Sequence, residues 1–263
     1  MIETTTLRIV WAAAFGVLGL AVGSFLNVVI WRVPRKESVV RPASRCPGCG
    51  AAIRPLDNVP VASWLVLRGR CRHCSAPISP RYPLVELGTG VVFSLVAWHL
   101  QADWALPAFL VLTATLVAVA AIDLEHYIVP NRILLPTLAI TLPLLAVAAA
   151  VDDRWDDLGR GLLGAVAAFA ALLVIHLISP RGMGMGDVKM AFVLGLFLGW
   201  IGWGEVVLGL FLGFLLGAVL GVALIATGLR SRKEALPFAP FLAAGTVIAV
   251  LHGTSILDWY AGL

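Results

Sequence analysis

Apolar runs of membrane length recur along this chain, and no other property restricts its fold as much. A helix needs about 20 predominantly apolar residues to cross a bilayer. Of the 263 residues, 60% are hydrophobic and 13% charged, with a mean hydropathy of +0.96. That is too few polar groups to cover a soluble domain of this length. The pattern predicts an all-α polytopic membrane protein with about eight spans, at 9–30, 84–100, 105–122, 132–150, 160–178, 189–202, 205–228 and 238–252. The sixth, AFVLGLFLGWIG, is short and Gly-rich, and is expected to tilt or to merge with the seventh. The first run follows MIETTTLR, which lacks a basic leader, and no small-residue cleavage site ends its core, so it reads as a retained helix.

Charge orients these spans. With the N-terminus outside, the segments 31–83, 123–131, 179–188 and 229–237, together with Arg132 and Lys189, fall on the cytoplasmic side and hold 16 of the 19 Lys and Arg residues. Outside remain Arg8, Arg154 and Arg160, beside the acidic stretch VDDRWDD. The arrangement puts Asp123, after the third span, and Asp187, before the sixth, at one cytoplasmic edge.

Residues 31–83 form the one sizeable polar segment and carry all four cysteines, as Cys46-x2-Cys49-x21-Cys71-x2-Cys74. A CxxC knuckle followed by a compact residue presents two thiolates to one ion, and two knuckles complete a tetrahedral zinc site. Metal binding would fold a loop too small to hold a core unaided. Disulfides are the competing reading, but a cytoplasmic loop lies in a reducing compartment. His73 stands between Cys71 and Cys74; with four cysteines at hand it reads as a bystander. The basic balance of the loop follows from the positive-inside bias and anionic headgroups, so no nucleic-acid partner is expected.

The predicted domain organisation is therefore residues 1–30 as a first transmembrane helix, 31–83 as a cytoplasmic zinc loop and 84–263 as the remaining membrane domain. Asp123 in AIDLEHYIVPN and Asp187 in GMGMGDVKM each adjoin an apolar run. A carboxylate there is costly unless hydrated, paired or used. Two neighbouring carboxylates resist double ionisation and can share a proton, so one can take a proton from water while the other protonates a peptide carbonyl. Gly184 and Gly186 would let the backbone before Asp187 bend or approach a substrate, Pro130 would end the segment after Asp123, and Lys189 could stabilise a nearby anion or snorkel. Three readings of the aspartates stand side by side: an acid–base pair, a proton-coupled transporter and simple helix capping. A zinc-organised membrane scaffold is a further non-enzymatic alternative. Glu125 is a possible substitute for Asp123, His126 could tune either, and His176 falls inside a span. No serine stands in a GxSxG elbow, and no HExxH motif is present.

In order along the chain, GSFLNVVIWRVP, the two CxxC pairs, SWLVLRGRCRHC, ISPRYPLVELGTG, DLEHYIVPNRILLP and GMGMGDVKM closely resemble the bacterial prepilin peptidases. Members of that family are GxGD-type membrane aspartyl proteases. The resemblance implies cleavage of the basic leader of type IV prepilins or type II secretion pseudopilins at the cytoplasmic membrane face, after a glycine and commonly before phenylalanine or methionine. It makes Asp123 and Asp187 the catalytic pair. It also implies N-methylation of the new terminus with S-adenosylmethionine (AdoMet). No independent AdoMet motif is visible; Glu86 and the 23–34 segment are the candidates, with helix capping the competing role for Glu86.

Overall fold

The computed structural model describes residues 2–180, 182–229, 231 and 235–262, with side chains from Thr5 onward. Arg181, Arg230, Arg232 and Lys233, which enter the charge argument, lie outside the described residues. Eight long helices occur among those described: α1 (Ile2–Arg32), α3 (Arg81–Leu100), α4 (Leu106–His126), α5 (Asn131–Asp152), α6 (Trp155–Ile178), α7 (Met185–Ile201), α8 (Trp203–Ala226) and α9 (Ala239–Ala261). A 3-10 turn (Pro55–Asn58) and a short helix α2 (Ala62–Val66) interrupt the long loop between α1 and α3. All the long helices except α7 are long and apolar enough to cross a membrane. The chain divides into two compact units, residues 1–101 and 102–263.

In the first unit α1 and α3 pack through small residues. A Cβ on Gly19 would lie 2.8 Å from the Gly90 Cα, and one on Gly23 would lie 2.7 Å from the Glu86 Cα. Missing side chains let two backbones approach closely, which is how helices gain contact where lipid is as apolar as they are. Polar groups tie the pair further: the Ser94 hydroxyl donates to the Ala12 carbonyl at 2.8 Å, and Asn27 Nδ2 donates to the Tyr82 carbonyl at 3.1 Å.

In the second unit α7 is the inner helix. Its 17 residues are apolar nearly all round, and residues from Val188 to Trp200 are mostly buried. At 1.5 Å per residue it is about 26 Å long, the short end of what spans a bilayer. Helices α6 and α7 meet glycine to glycine: a Cβ on Gly164 would stand 2.6 Å from the Gly195 carbonyl oxygen, and one on Gly199 would stand 3.0 Å from the Gly161 Cα. The far end of α7 is closed by Arg160. Its guanidinium donates to the Gly199, Trp200 and Ile201 carbonyls at 2.8, 2.7 and 3.0 Å while pairing with Asp157 at 2.7 Å. Those carbonyls have no intrahelical partner, and a cation favours that end of the dipole. Arg154, paired with Asp103 and Asp157, lies over the Trp200 ring. The acidic stretch that served as a charge marker in the sequence thus also anchors the inner helix.

Several boundaries move. The third span continues past 122 to His126, where Tyr127 takes a left-handed conformation and returns its N–H to the Asp123 carbonyl at 2.9 Å. The sixth begins at Met185, four residues before the predicted start at 189, because Gly184 serves as its N-cap. It does not merge with the seventh, since Gly202 is fully extended (φ 179°, ψ 165°) and separates α7 from α8. The last runs to Ala261 instead of 252. The short connections make α4 to α9 alternate in direction, so the end of α4, the end of α6 and the starts of α7 and α9 all come to one end of the unit.

Replacing Gly164 with alanine tests the inner-helix packing. Its Cβ would meet backbone, which cannot swing aside, so about 1–3 kcal/mol of destabilisation is expected, read as a lower unfolding temperature in detergent. The Gly159→Ala control, with open space around its added Cβ, should match the parent.

Candidate functional site

Asp123 lies in the last turn of α4 and Asp187 in the first turn of α7, and the alternation of helices brings these turns to the same end. Both side chains are buried, 5% and 8% exposed, and the two carboxyls are close enough to interact electrostatically. Asp123 Oδ2 accepts a hydrogen bond from the Ala239 N–H, the first residue of α9, at 3.0 Å. The Phe238 amide also reaches that carboxyl. Asp187 is the third residue of α7, and the Gly184 amide donates back to its carboxyl. This is one half of an N-terminal capping box, the third-residue carboxyl reaching back to the N-cap amide, since the Gly184 N-cap has no side chain to return the bond. Its other oxygen, Oδ1, is buried with no hydrogen-bond partner in the protein. A cap alone would not require a buried oxygen left bare, so capping and the paired-acid reading coexist in one residue.

The surrounding residues divide clearly. Gly184 is extended, and Gly186 sits inside the helix, where a Cβ would press on Val129 at 2.8 Å. The bend predicted at both glycines is therefore confined to Gly184 and the residues before it; Gly186 instead permits close packing on the turn after α4. Pro130, expected to end the segment after Asp123, is extended and instead N-caps α5, because α4 has already ended at His126. Lys189 Nζ donates to Asn131 Oδ1 at 3.3 Å, tying α7 to the start of α5. Glu125 is exposed, with His126 Nε2 3.9 Å away, whereas Asp123 is buried. His176 Nδ1 stands 2.8 Å from the Met183 carbonyl, so the histidine within the span steadies the loop leading to Asp187. Sequence reasoning missed the part played by α9, because amides carry no residue signature; Pro237 and Pro240 around the helix start were the visible trace.

In the first unit the two CxxC segments build twin knuckles. The Cys46 N–H donates to Ala51 at 2.9 Å and the Cys71 N–H to Ala76 at 2.8 Å, with Gly50 (φ 70°) and Ser75 (φ 57°) turning the chain after each pair. The four sulfurs lie within 4.8 Å of one another, and Cys46 and Cys74 are 3.7 Å apart. A tetrahedral ion with metal–sulfur bonds of about 2.3 Å has sulfur–sulfur edges of about 3.8 Å. The cluster could hold a metal ion. The Cys74 and His73 amides pull the Cys71 thiol down to about 6. Cys74, although the Ala76 amide favours its thiolate, is pushed up to about 12 by hydrogen bonding to Cys49, burial and the other two thiols. Four crowded thiols give up all their protons only when a cation replaces them. Arg72 grips Asp57 through Nε and Nη2 at 3.0 and 2.6 Å, holding that carboxyl below its ordinary range and joining the 55–58 turn to the second knuckle.

Glu86, buried at the start of α3, accepts the Val61 N–H at 2.7 Å and a hydrogen bond from Ser24. Val61 has φ 60° and ψ −50°, with the Ala62 N–H reaching the Pro60 carbonyl at 2.5 Å. This is a γ-turn of the strained, positive-φ kind, rare for a β-branched residue. Ser24 also lines a cleft of about 480 Å³ between α1 and residues 39–44, walled by Phe25, Arg32, Ser44 and Asn58.

Eight long helices, two buried carboxyls meeting at one end of their unit and a four-cysteine cluster define a multi-pass membrane protein with two interacting buried acids and a loop that could hold a metal ion. Two family models match: the bacterial peptidase A24 N-terminal domain over residues 17–100 and the type IV leader peptidase family over 110–222. The curated relatives include the prepilin leader peptidase/N-methyltransferases of Stutzerimonas stutzeri, 37% identical across 93% of this chain and 91% of the relative, and of Bacillus subtilis, 36% identical across 93% and 95%. That of Pseudomonas aeruginosa is 36% identical across 92% of this chain and 91% of its own. The chain belongs to the type IV leader peptidase family. No solved structure matches it.

If the cysteines form one tetrahedral site, the purified protein will carry about one equivalent of divalent metal, measured by mass spectrometry of the elements. Cys71→Ser should lose it and make the 31–83 loop protease-sensitive.

Proposed function

We propose that this protein cleaves the basic leader of type IV prepilins or pseudopilins at the cytoplasmic face of the bacterial inner membrane and then N-methylates the new terminus. The observation that carries the cleavage is the burial of Asp123 and Asp187 together where the ends of α4 and α7 meet. One carboxylate takes a proton from water as it attacks the scissile carbonyl and later passes that proton to the leaving amine; the other, protonated, donates to the carbonyl oxygen and recovers its proton as the C–N bond breaks. A pilin's apolar segment stays in lipid while its basic leader lies among cytoplasmic groups, the side to which the positive-inside count assigns both aspartates. Lys189, Gly184 and Gly186 support the pair by fixing the start of α7 against the 127–131 turn.

Cys46, Cys49, Cys71 and Cys74 hold structural zinc, supported by the twin knuckles and the edge length of the sulfur cluster. For AdoMet, the cleft beside Ser24 fits in size and lining, since it lies within the usual 300–1,000 Å³ range of ligand pockets, about 480 Å³, and offers an aromatic face and polar groups. Ser24, Phe25, Arg32, Ser44 and Asn58 would hold the donor, which when bound supplies an electrophilic methyl on sulfur. Glu86 acts behind them, fixing Ser24 and the Val61 turn. The names of the relatives support this second activity, and the 23–34 segment contributes through Ser24, Phe25 and Arg32.

Reconstituted protein with a prepilin and AdoMet, read by mass spectrometry, tests the whole reading. Asp123→Asn and Asp187→Asn should each lower cleavage by about a hundredfold or more, with metal content retained. Wild-type cleavage by either variant would sink the pair. Glu86→Ala, which strands the Val61 amide, should weaken AdoMet binding about tenfold and cut methylation, with cleavage maintained.

A further inference from the structure

Two buried acids that share a proton need not share it evenly, and the structure surrounds them unequally. Asp123 stands at the C-terminal end of α4, where the helix dipole opposes an anion. Facing it is the start of α9, whose first amides have no intrahelical acceptor. The Ala239 N–H meets Asp123 Oδ2 at 3.0 Å, and the Phe238 amide reaches the same carboxyl. Two donors converging on one carboxyl match the ionised form, which only accepts, and charge-assisted bonds of this kind are the strong ones. Pro237 and Pro240, on either side of these residues, have no N–H to offer, so the donors at this turn are confined to the pair.

Asp187 receives one amide, that of Gly184, and keeps Oδ1 buried and without a partner, the side chain being 8% exposed. An ionised oxygen in that position would be desolvated with nothing in return, whereas a hydroxyl there has a proton to donate. The nearby charged groups do not reverse the contrast. The Lys189 ammonium is on Asn131, and the exposed Glu125 has His126 Nε2 3.9 Å from its carboxylate.

We propose that the first turn of α9 is a third component of the paired-acid site: its Phe238 and Ala239 amides hold Asp123 as the carboxylate, the proton acceptor, and leave Asp187 as the acid that carries the proton. The proposal rests on the aspartate pair being the cleavage site. In its first step water gives a proton to Asp123 as its oxygen bonds to the scissile carbon, and the Asp187 proton passes to the carbonyl oxygen, so the pair's proton count is unchanged. Residues 238–239 are positioning groups acting through Asp123.

Isotope-edited infrared spectroscopy at mildly acidic pH tests the assignment, with the Asp123→Asn/Asp187→Asn double variant as baseline. The carbonyl stretch of a protonated aspartic acid should be present in the wild type, persist in Asp123→Asn and vanish in Asp187→Asn. Adding Ala239→Pro to Asp187→Asn removes a donor at a helix position where proline is accepted, and should bring the band back; Ala239→Gly, which keeps the N–H, should not. The reverse pattern in the single variants, or equal bands in both, overturns the assignment, as does an unchanged spectrum in a folded Ala239→Pro variant. The single variants decide the matter if that double variant does not fold. Prepilin cleavage by the same single variants separates the two levels: retained cleavage defeats the aspartate reading itself, whereas lost cleavage with the wrong infrared pattern defeats only the division of roles.

Discussion

The close approach of α6 and α7 supports everything else in the second unit. In lipid no hydrophobic driving force pulls one apolar helix to another, so contact has to come from shape. Gly161 and Gly164 on one helix meet Gly195 and Gly199 on the other, backbone against backbone. Arg160 locks the far end by taking the last three α7 carbonyls. An inner helix held this way gives Asp187 a fixed position relative to α4 and α9, which the proposed proton sharing with Asp123 would require.

The opposite end of α7 shows how one residue meets two demands. Asp187 caps its own helix through the Gly184 amide, which accounts for its place in the first turn. The cap uses one oxygen and leaves the other bare beside Asp123. The structural and the chemical readings of this aspartate are therefore not rivals. Asp123 needs help of another kind, because it ends a helix, and the amides of α9 supply it from more than a hundred residues further along the chain.

In the first unit, the cysteine cluster and a carboxylate organise the loop from two directions. The sulfur cluster gathers the knuckles, while Glu86 holds the Val61 turn through a single backbone amide. Strain at a β-branched residue persists only when its surroundings over-determine it, and such strain gathers at functional sites. Here the strained turn adjoins the short helix α2 and the Asn58 wall of the cleft. The Glu86 carboxylate thus holds the Val61 amide across the loop as well as standing near the start of α3.

The sequence by itself determined the membrane class, nearly all the long helices, the cysteine cluster and the two aspartates. Each of these is written in local composition or spacing: an apolar run, a CxxC repeat, a carboxylate beside a span. Gly50 and Ser75, compact residues after each pair, were legible for the same reason. Helix ends were less so, because Tyr127, Gly184 and Gly202 terminate their elements through backbone conformation rather than through polarity. The glycine faces, the Arg160 clamp, the Glu86–Val61 bond and the α9 amides on Asp123 were decided only in three dimensions. Each joins residues distant in sequence through backbone atoms that every residue type shares, so no side-chain pattern could announce them.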